Sequence, residues 1–87
     1  MTEDQIANAL TKYDAQLQKD GIFRERFSSL ERFPTRPEAL AHARWMCQEA
    51  LTFTEHKDKA MRWLCFIQGV LWMTGLASID GLRDDNR

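Results

Sequence analysis

Apolar side chains recur at helical spacing near the beginning of the chain. They are separated by four, three and four positions: Ile6, Leu10, Tyr13 and Leu17. This spacing places them on one face of a helix. Thr2 and Gln5 have the spacing of a capping box, in which each side chain bonds an otherwise free backbone N–H at the helix start. We therefore predict a helix from about Glu3 to Lys19, ended by Asp20-Gly21, because glycine tolerates the left-handed conformation at helix ends.

A second helix is predicted to begin near Arg36 and to end near Phe53. Thr35 and Glu38 repeat the capping-box spacing, and Pro37 falls in the first turn, where its missing N–H costs nothing. The apolar face of this helix collects Leu40, Ala43, Cys47, Ala50 and Leu51.

A third helix, with Asp58 as its N-cap, is apolar on every side. Three stripes run along it: Ala60, Leu64, Ile67 and Leu71; Trp63, Phe66, Val70 and Met73; and Met61, Cys65, Trp72 and Leu76. Such a helix lies at the centre of a fold, in an oligomer or in a membrane. Two other helices in a chain of 87 residues do not easily cover every side of it, so we favour self-association. Arg62 and Gln68 argue against a membrane span over residues 60–79, since a charge and an amide in hydrocarbon cost roughly a few kcal/mol each.

The segment between the first two helices is irregular. Pro34 and Pro37 block a continuous helix there. We expect its large apolar side chains to anchor it onto the core: Phe23, Phe27, Leu30 and Phe33.

These elements predict a single all-α domain, which we expect to be oligomeric. It has four parts: an N-terminal helix (1–21), an aromatic connector (22–36), an antiparallel helical hairpin (37–77) and a C-terminal turn and tail (78–87). The hairpin follows from the short polar break at residues 55–58. Gly75 is expected to end the third helix, Ser78 to cap a last turn, and the polar residues 83–87 to fray.

Composition and charge narrow the classes of function. The chain is 44% hydrophobic and 29% charged, and its formal net charge of −1 is not that of a protein built to bind duplex nucleic acid. Cys47 and Cys65 lie in apolar segments, so we expect free thiols in a reducing, cytoplasmic setting. His42 and His56 lie far apart on the predicted elements, whereas a metal site needs three or four converging ligands. We expect no metal, no cofactor and, because no nucleophile is paired with a base, no enzymatic activity.

Arginines are concentrated in and beside the connector: Arg24, Arg26, Arg32 and Arg36. They alternate with phenylalanines. Arginine forks bind phosphate and carboxylate groups, and aromatic rings stack on bases, so this pattern is that of an anion or nucleotide site. The alternative is that Glu25 and Glu31 neutralise part of the charge and that the arginines are simply solvated.

Tryptophans and a methionine mark a candidate protein interface. Because an α-helix rotates by about 100° per residue, Trp45 projects from the polar side of the second helix. Trp63, Trp72 and Met73 belong to the surplus apolar surface of the third helix. Tryptophan is favoured at the energetic centres of interfaces, and exposed apolar patches usually mark association. The alternative is that the connector covers these residues within one chain.

The C-terminal part of the chain carries a motif: Trp-Leu-Cys-Phe-Ile-Gln-Gly-Val-Leu-Trp at residues 63–72, then Gly75-Leu76 and Ser78-Ile79-Asp80. It resembles a group of small bacteriophage helical proteins of unassigned function that end in a Trp-Leu-x-Phe-Ile-Gln-Gly-x-Leu-Trp helix and an Asp-x-Leu tail. The resemblance covers about residues 39–86. The family pattern has glycine at the position of Cys65 and an acidic residue at that of Gly81. The resemblance implies a phage or prophage origin and says nothing of chemistry.

A fainter likeness concerns the hairpin, with Gln68 and Trp72 late in its second arm. It is similar to the helical hairpin of phage sponge proteins, which sequester cyclic-nucleotide defence signals in symmetric oligomers. No binding motif matches residue by residue, so the likeness carries over no ligand contact.

We predict a small non-enzymatic phage or prophage accessory protein that binds and modulates a host protein in the bacterial cytoplasm. One alternative is an oligomeric sponge that takes up an anionic nucleotide through the connector arginines. Another is a small structural or membrane-associated phage component. The expected partners are a second copy of the chain, a host protein and, for the sponge, an anionic nucleotide. Neither duplex nucleic acid nor a membrane is expected.

Overall fold

The computed structural model describes residues 1–27 and 32–87. Over these residues the chain forms four α-helices and no strand: α1 (Glu3–Lys19), α2 (Arg36–Ala50), α3 (Lys57–Met73) and α4 (Ile79–Asp85). The predicted all-α fold is confirmed.

Reciprocal side-chain caps start α1 and α2, as the sequence predicts. The Thr2 hydroxyl accepts from the Gln5 N–H at 3.1 Å, and Gln5 Oε1 accepts from the Thr2 N–H at 2.8 Å. Thr35 and Glu38 repeat the arrangement, with Glu38 Oε1 accepting from the Thr35 N–H at 2.9 Å. Both helices therefore begin where the sequence predicts. The prediction succeeds because a capping box depends only on residues three positions apart.

Two glycines in the left-handed region follow helix ends. Gly21, with φ of 79°, follows α1, and Gly75, with φ of 81°, follows α3. Ser78 then caps α4 by accepting a 3.0 Å hydrogen bond from the backbone three residues later. The predicted cap of α3 is wrong: His56 is the N-cap residue and makes no side-chain hydrogen bond, whereas Asp58 lies in the first turn. An acidic residue there still suits the helix dipole.

The core lies among α1, α2 and α3, with α2 packed against both of the others. Each helix turns its predicted stripe inward, except that Leu51 follows α2 as its C-cap and is only partly buried. No other member is more than 2% exposed: Ile6, Leu10, Tyr13 and Leu17; Leu40, Ala43, Cys47 and Ala50; and Ala60, Leu64, Ile67 and Leu71. α3 therefore buries one of the three apolar stripes predicted around it. None of the helices in the described ranges is both long and apolar enough to cross a membrane.

The connector contradicts the prediction that its phenylalanines anchor it. Phe23 is 84% exposed and Phe33 is 95% exposed, Phe27 is half-buried, and Leu30 lies outside the described residues. Hydrogen bonds hold this segment instead: the Glu25 N–H donates to the Ala41 carbonyl at 3.2 Å, the Phe27 N–H donates to His42 Nδ1 at 3.0 Å, and the Ile22 carbonyl accepts from Arg44 at 2.8 Å. These three hydrogen bonds attach residues 22–27 to α2, while Phe23 and Phe33 remain exposed.

Candidate functional site

The outward side of α3 is apolar and exposed over more than two turns. We call this surface the outer face of α3 and define it by Cys65, Phe66, Gly69, Trp72 and Met73, all of which are exposed. The three large side chains, Phe66, Trp72 and Met73, are 57%, 49% and 75% exposed. The spacing of these residues places them on one side of the helix, so they form a continuous apolar surface.

A shallow groove of about 420 Å³ runs along this face. The outer face forms one side of it, and Ala39 of α2 and Val70 and Thr74 near the end of α3 complete it. The two helices therefore share the surface, and a binding partner would contact both.

A second hollow of about 220 Å³ adjoins the groove and shares Ala39, Phe66 and Val70 with it. Its remaining lining comes from the connector and α2: Phe27, Pro34, Glu38 and His42. The two hollows form one apolar depression with a few polar groups at its edge, which is the usual composition of a recognition site.

His42 is a polar group of this hollow, and its contacts define its protonation state. Its Nδ1 accepts the hydrogen bond from the Phe27 N–H at 3.0 Å, so the ring proton lies on Nε2. Burial and, to a smaller extent, the nearby charge of Arg26 lower the pKa of His42. The imidazole therefore stays neutral at pH 7 and offers one donor.

Trp45 and Trp63, two of the four predicted interface residues, pack on each other and are half-buried. Their ring centroids lie 5.9 Å apart, and the Trp63 ring meets Phe53 edge to face at 5.0 Å. The Arg26 guanidinium lies 5.1 Å from the Trp45 ring, and His42 lies 5.4 Å from it. These two tryptophans thus contact neighbours within the chain, while their role in an interface stays a prediction.

Trp72 and Met73, the other two predicted interface residues, lie on the outer face of α3. Phe66 lies there too, although it is not among the four predicted interface residues. It belongs to the same predicted stripe as Met73, seven residues earlier, so the helical spacing contained the signal.

The four connector arginines each contact a different group of the chain. Arg24 lies 3.4 Å from Glu49, and Arg32 makes a two-point ion pair with Glu38 at 2.7 and 2.9 Å. Arg36 Nε donates to the Thr74 carbonyl at 3.1 Å, while Arg26 stacks on Trp45. The Arg32 hydrogen bonds, helped by those from Thr35, lower the pKa of Glu38 to about 2. An anion at Arg24 or Arg32 would have to displace a carboxylate, and the anion site stays a prediction.

The inward side of α3 carries a buried amide, Gln68, which is 6% exposed. Its Nε2 donates to the Tyr13 hydroxyl at 3.1 Å and to Asn86 Oδ1 at 2.6 Å, and Asn86 returns a 3.2 Å hydrogen bond to Gln68 Oε1. The Tyr13 hydroxyl and Lys12 each donate to Asp85 at 2.7 Å. We call these five residues the buried amide network; it joins α1, α3 and the C-terminal end.

The charges of this network follow from its contacts. Burial raises the pKa of Asp85, but hydrogen bonds from Lys12 and Tyr13 outweigh it, so the net shift is downward. Burial and the bond to Asp85 raise the pKa of Tyr13 well above its usual range. The expectation that residues 83–87 fray is wrong for Asp85 and Asn86, because both are hydrogen-bonded to residues distant in sequence.

The cysteines differ sharply in surroundings. Cys47 is fully buried, and its burial raises the pKa of its thiol to about 12, whereas Cys65 is exposed on the outer face of α3. Both are free thiols. Within residues 1–27 and 32–87, no group of three or more His, Cys, Asp or Glu side chains is placed to hold a metal ion.

Comparison of the chain with protein-family models, with curated proteins and with solved structures finds no match.

Proposed function

We propose that this chain is a small non-enzymatic accessory protein that binds and modulates a host protein through the outer face of α3. The phage or prophage origin and the bacterial cytoplasm as its location are part of the proposal and follow from the resemblance of the C-terminal helix. The observation that carries the proposal is the exposed apolar surface around Phe66, Trp72 and Met73.

The energetics of this surface support binding. Burying a large apolar side chain contributes about 1.5–3 kcal/mol, so three side chains that begin half to three-quarters exposed offer roughly a few kcal/mol. Contiguous apolar patches on soluble proteins usually mark interaction sites. Aromatic residues and methionine are enriched in protein interfaces.

An antiparallel hairpin of α2 and α3 is part of the proposal. Arg36, at the start of α2, hydrogen-bonds Thr74 just after α3, and Phe53, just after α2, packs on Trp63 near the start of α3. Contacts at both ends support opposite helix directions. This arrangement would place Ala39 beside the C-terminal half of α3 and so create the groove.

Self-association is the alternative that the same surface supports. A homo-oligomer would bury Phe66, Trp72 and Met73 against a second copy. The nucleotide sponge has less support because Arg24 and Arg32 already face carboxylates. The structural or membrane-associated phage component has no observation of its own in its favour.

Affinity purification of the tagged chain from its bacterial host tests the proposal. We expect a host protein to copurify with the wild type, and Met73→Asp to abolish its capture because a charge would be buried at the interface. Phe23→Asp is the matched control, since Phe23 is 84% exposed but lies on the connector. Capture that Met73→Asp leaves unchanged, or that Phe23→Asp removes equally, would contradict the proposal.

A further inference from the structure

Building on the proposed function, we infer that the outer face of α3 binds an amphipathic helix of the partner whose apolar stripe is bordered at both ends by acidic residues. Two observations carry the inference: a glycine that packing among residues 1–27 and 32–87 does not require, and two arginines at the ends of the face that have no carboxylate partner among those same residues.

Gly69 lies at the middle of the outer face. A Cβ at this position would meet no atom within 4 Å, so an alanine would fit without a clash. Glycine in a helix interior is less favourable than alanine, yet no contact within the described residues accounts for it here. Its φ is not in the left-handed region either. A missing side chain between Phe66 and Met73 lets another backbone approach closely, which is what a docked helix needs.

The groove has the form that a helix fits. Its apolar ridges, Phe66 on one side of Gly69 and Met73 on the other, are seven residues apart, or about 10 Å along the axis. An amphipathic helix presents anchors at i, i+3, i+4 and i+7 over a similar distance. The adjoining hollow beside Phe27 and Val70 would take a large apolar anchor at one edge.

Both ends of the face are cationic. Arg62 is exposed one turn before Phe66, and Arg36 reaches the other end, where it donates to the Thr74 carbonyl. Neither arginine takes part in an ion pair among the described residues, whereas Arg32 is paired with Glu38. A partner with acidic residues flanking its apolar stripe would therefore complement both ends.

The same charges disfavour a second copy as the occupant. In an antiparallel pair of α3 helices, Arg62 of each copy would approach Arg36 of the other. In a parallel pair each arginine would face its own counterpart. Like charges at an interface suppress pairing, so the electrostatics favour a partner of different sequence.

Two synthetic helical peptides test the inference by fluorescence anisotropy on the full chain. Each has about 18 residues, or five turns, and a leucine stripe; one carries glutamates at both ends and the other carries lysines at the same positions. We expect the glutamate peptide to bind about tenfold more tightly at low salt, with the difference shrinking as salt screens the charges. The double variant Arg36→Glu, Arg62→Glu should reverse the preference.

Gly69→Ala separates binding from folding. We expect this variant to melt about 4 °C higher than the wild type because alanine favours the helix, and yet to bind the glutamate peptide at least about tenfold more weakly, because its methyl group blocks close approach. Unchanged affinity of Gly69→Ala would overturn the helix-docking geometry.

Three other results would overturn the inference, and the first two would leave the proposed function undecided. Equal affinity for the two peptides would contradict the prediction that the partner carries acidic residues. Binding of neither peptide would contradict the prediction that the partner is a helix. The capture of a host protein, described above, would still test the proposed function independently. A stable dimer in sedimentation that Met73→Asp dissociates would show that a second copy occupies the face.

Discussion

The inner face of α3 buries one amide among apolar side chains, whereas the outer face leaves large apolar side chains exposed. Gln68 is buried on the inner face, whereas Phe66, two residues earlier, is 57% exposed on the outer one. The amide is buried because Tyr13 and Asn86 satisfy it with hydrogen bonds. The phenylalanine lines the groove and the adjoining hollow and stays more than half exposed. The two faces show that this fold buries an amide where hydrogen bonds satisfy it and leaves three large apolar side chains of α3 exposed, and this exposure needs an explanation of its own.

We propose that binding to a partner is that explanation. A chain of 87 residues has a limited interior, and α1 and α2 already enclose one stripe of α3. Leaving two bulky rings and a methionine exposed gives the folded monomer no stability. On this proposal, a partner covers the surface in the complex and buries the side chains that the monomer leaves exposed.

The largest predicted difference in stability between the two faces of α3 concerns core packing. Ile67 is fully buried and Phe66, its neighbour in sequence, is exposed. We expect Ile67→Ala to lower the free energy of unfolding by about 3 kcal/mol and Phe66→Ala to lower it by less than about 1 kcal/mol. Urea denaturation of both variants measures the difference. Equal losses would mean that the two faces are not distinct.

The next effect concerns the buried amide network. Gln68→Ala leaves the Asn86 side chain unpaired and a cavity beside Tyr13, so we expect a loss of about 2 kcal/mol in the free energy of unfolding. Gln18→Ala is the control, because Gln18 is an exposed glutamine of α1 and should change stability by less than about 0.5 kcal/mol. A Gln68 variant as stable as the Gln18 variant would show that the hydrogen bonds do not hold the inner face together.

The smallest effect is the pH dependence that Asp85 contributes. Its pKa in the folded chain lies below the ordinary value of 3.8, so the folded state gains stability above that value and loses it as pH falls through the lower folded pKa. The carboxylate is partly exposed, so we expect the contribution to stay below about 1 kcal/mol.

The variant Asp85→Asn tests the direction of this pH dependence of stability. The stability difference between wild type and Asp85→Asn should be present at pH 6 and should shrink as the pH falls below about 3.8. Asp80→Asn is the control, since the Asp80 side chain is 90% exposed. A difference that grows at low pH would show that the sign is wrong.

The sequence predicts most of the helical framework because its signals are local. These signals act between residues that lie close together along the chain. They are the capping boxes at Thr2 and Thr35, the left-handed glycines Gly21 and Gly75, and the apolar stripes. The start of α3 at Lys57 is harder to predict, because its N-cap residue, His56, makes no side-chain hydrogen bond.

Contacts between residues distant in sequence have no local signal, so the sequence does not predict them. Asp85 meets Tyr13 across 72 positions, so a polar tail that looks solvated turns out to be bound. Phe23 and Phe33 look like anchors by composition, but hydrogen bonds to α2 hold residues 22–27, and both rings are exposed. Trp72 and Met73 were predicted as interface residues from surplus apolar surface, and their exposure is consistent with that reasoning without testing it.

Thiol labelling tests the central claim most directly, because Cys65 lies on the outer face of α3 and Cys47 lies in the core. N-ethylmaleimide is added to the dilute purified chain, in buffer and in a lysate of the bacterial host, and the labelled peptides are counted by mass spectrometry. We predict rapid labelling of Cys65 and none of Cys47 in buffer, slower labelling of Cys65 in the lysate, and restoration of the rapid rate by Met73→Asp. Labelling of Cys65 at the same rate in buffer and lysate would contradict the claim that a host partner covers this face.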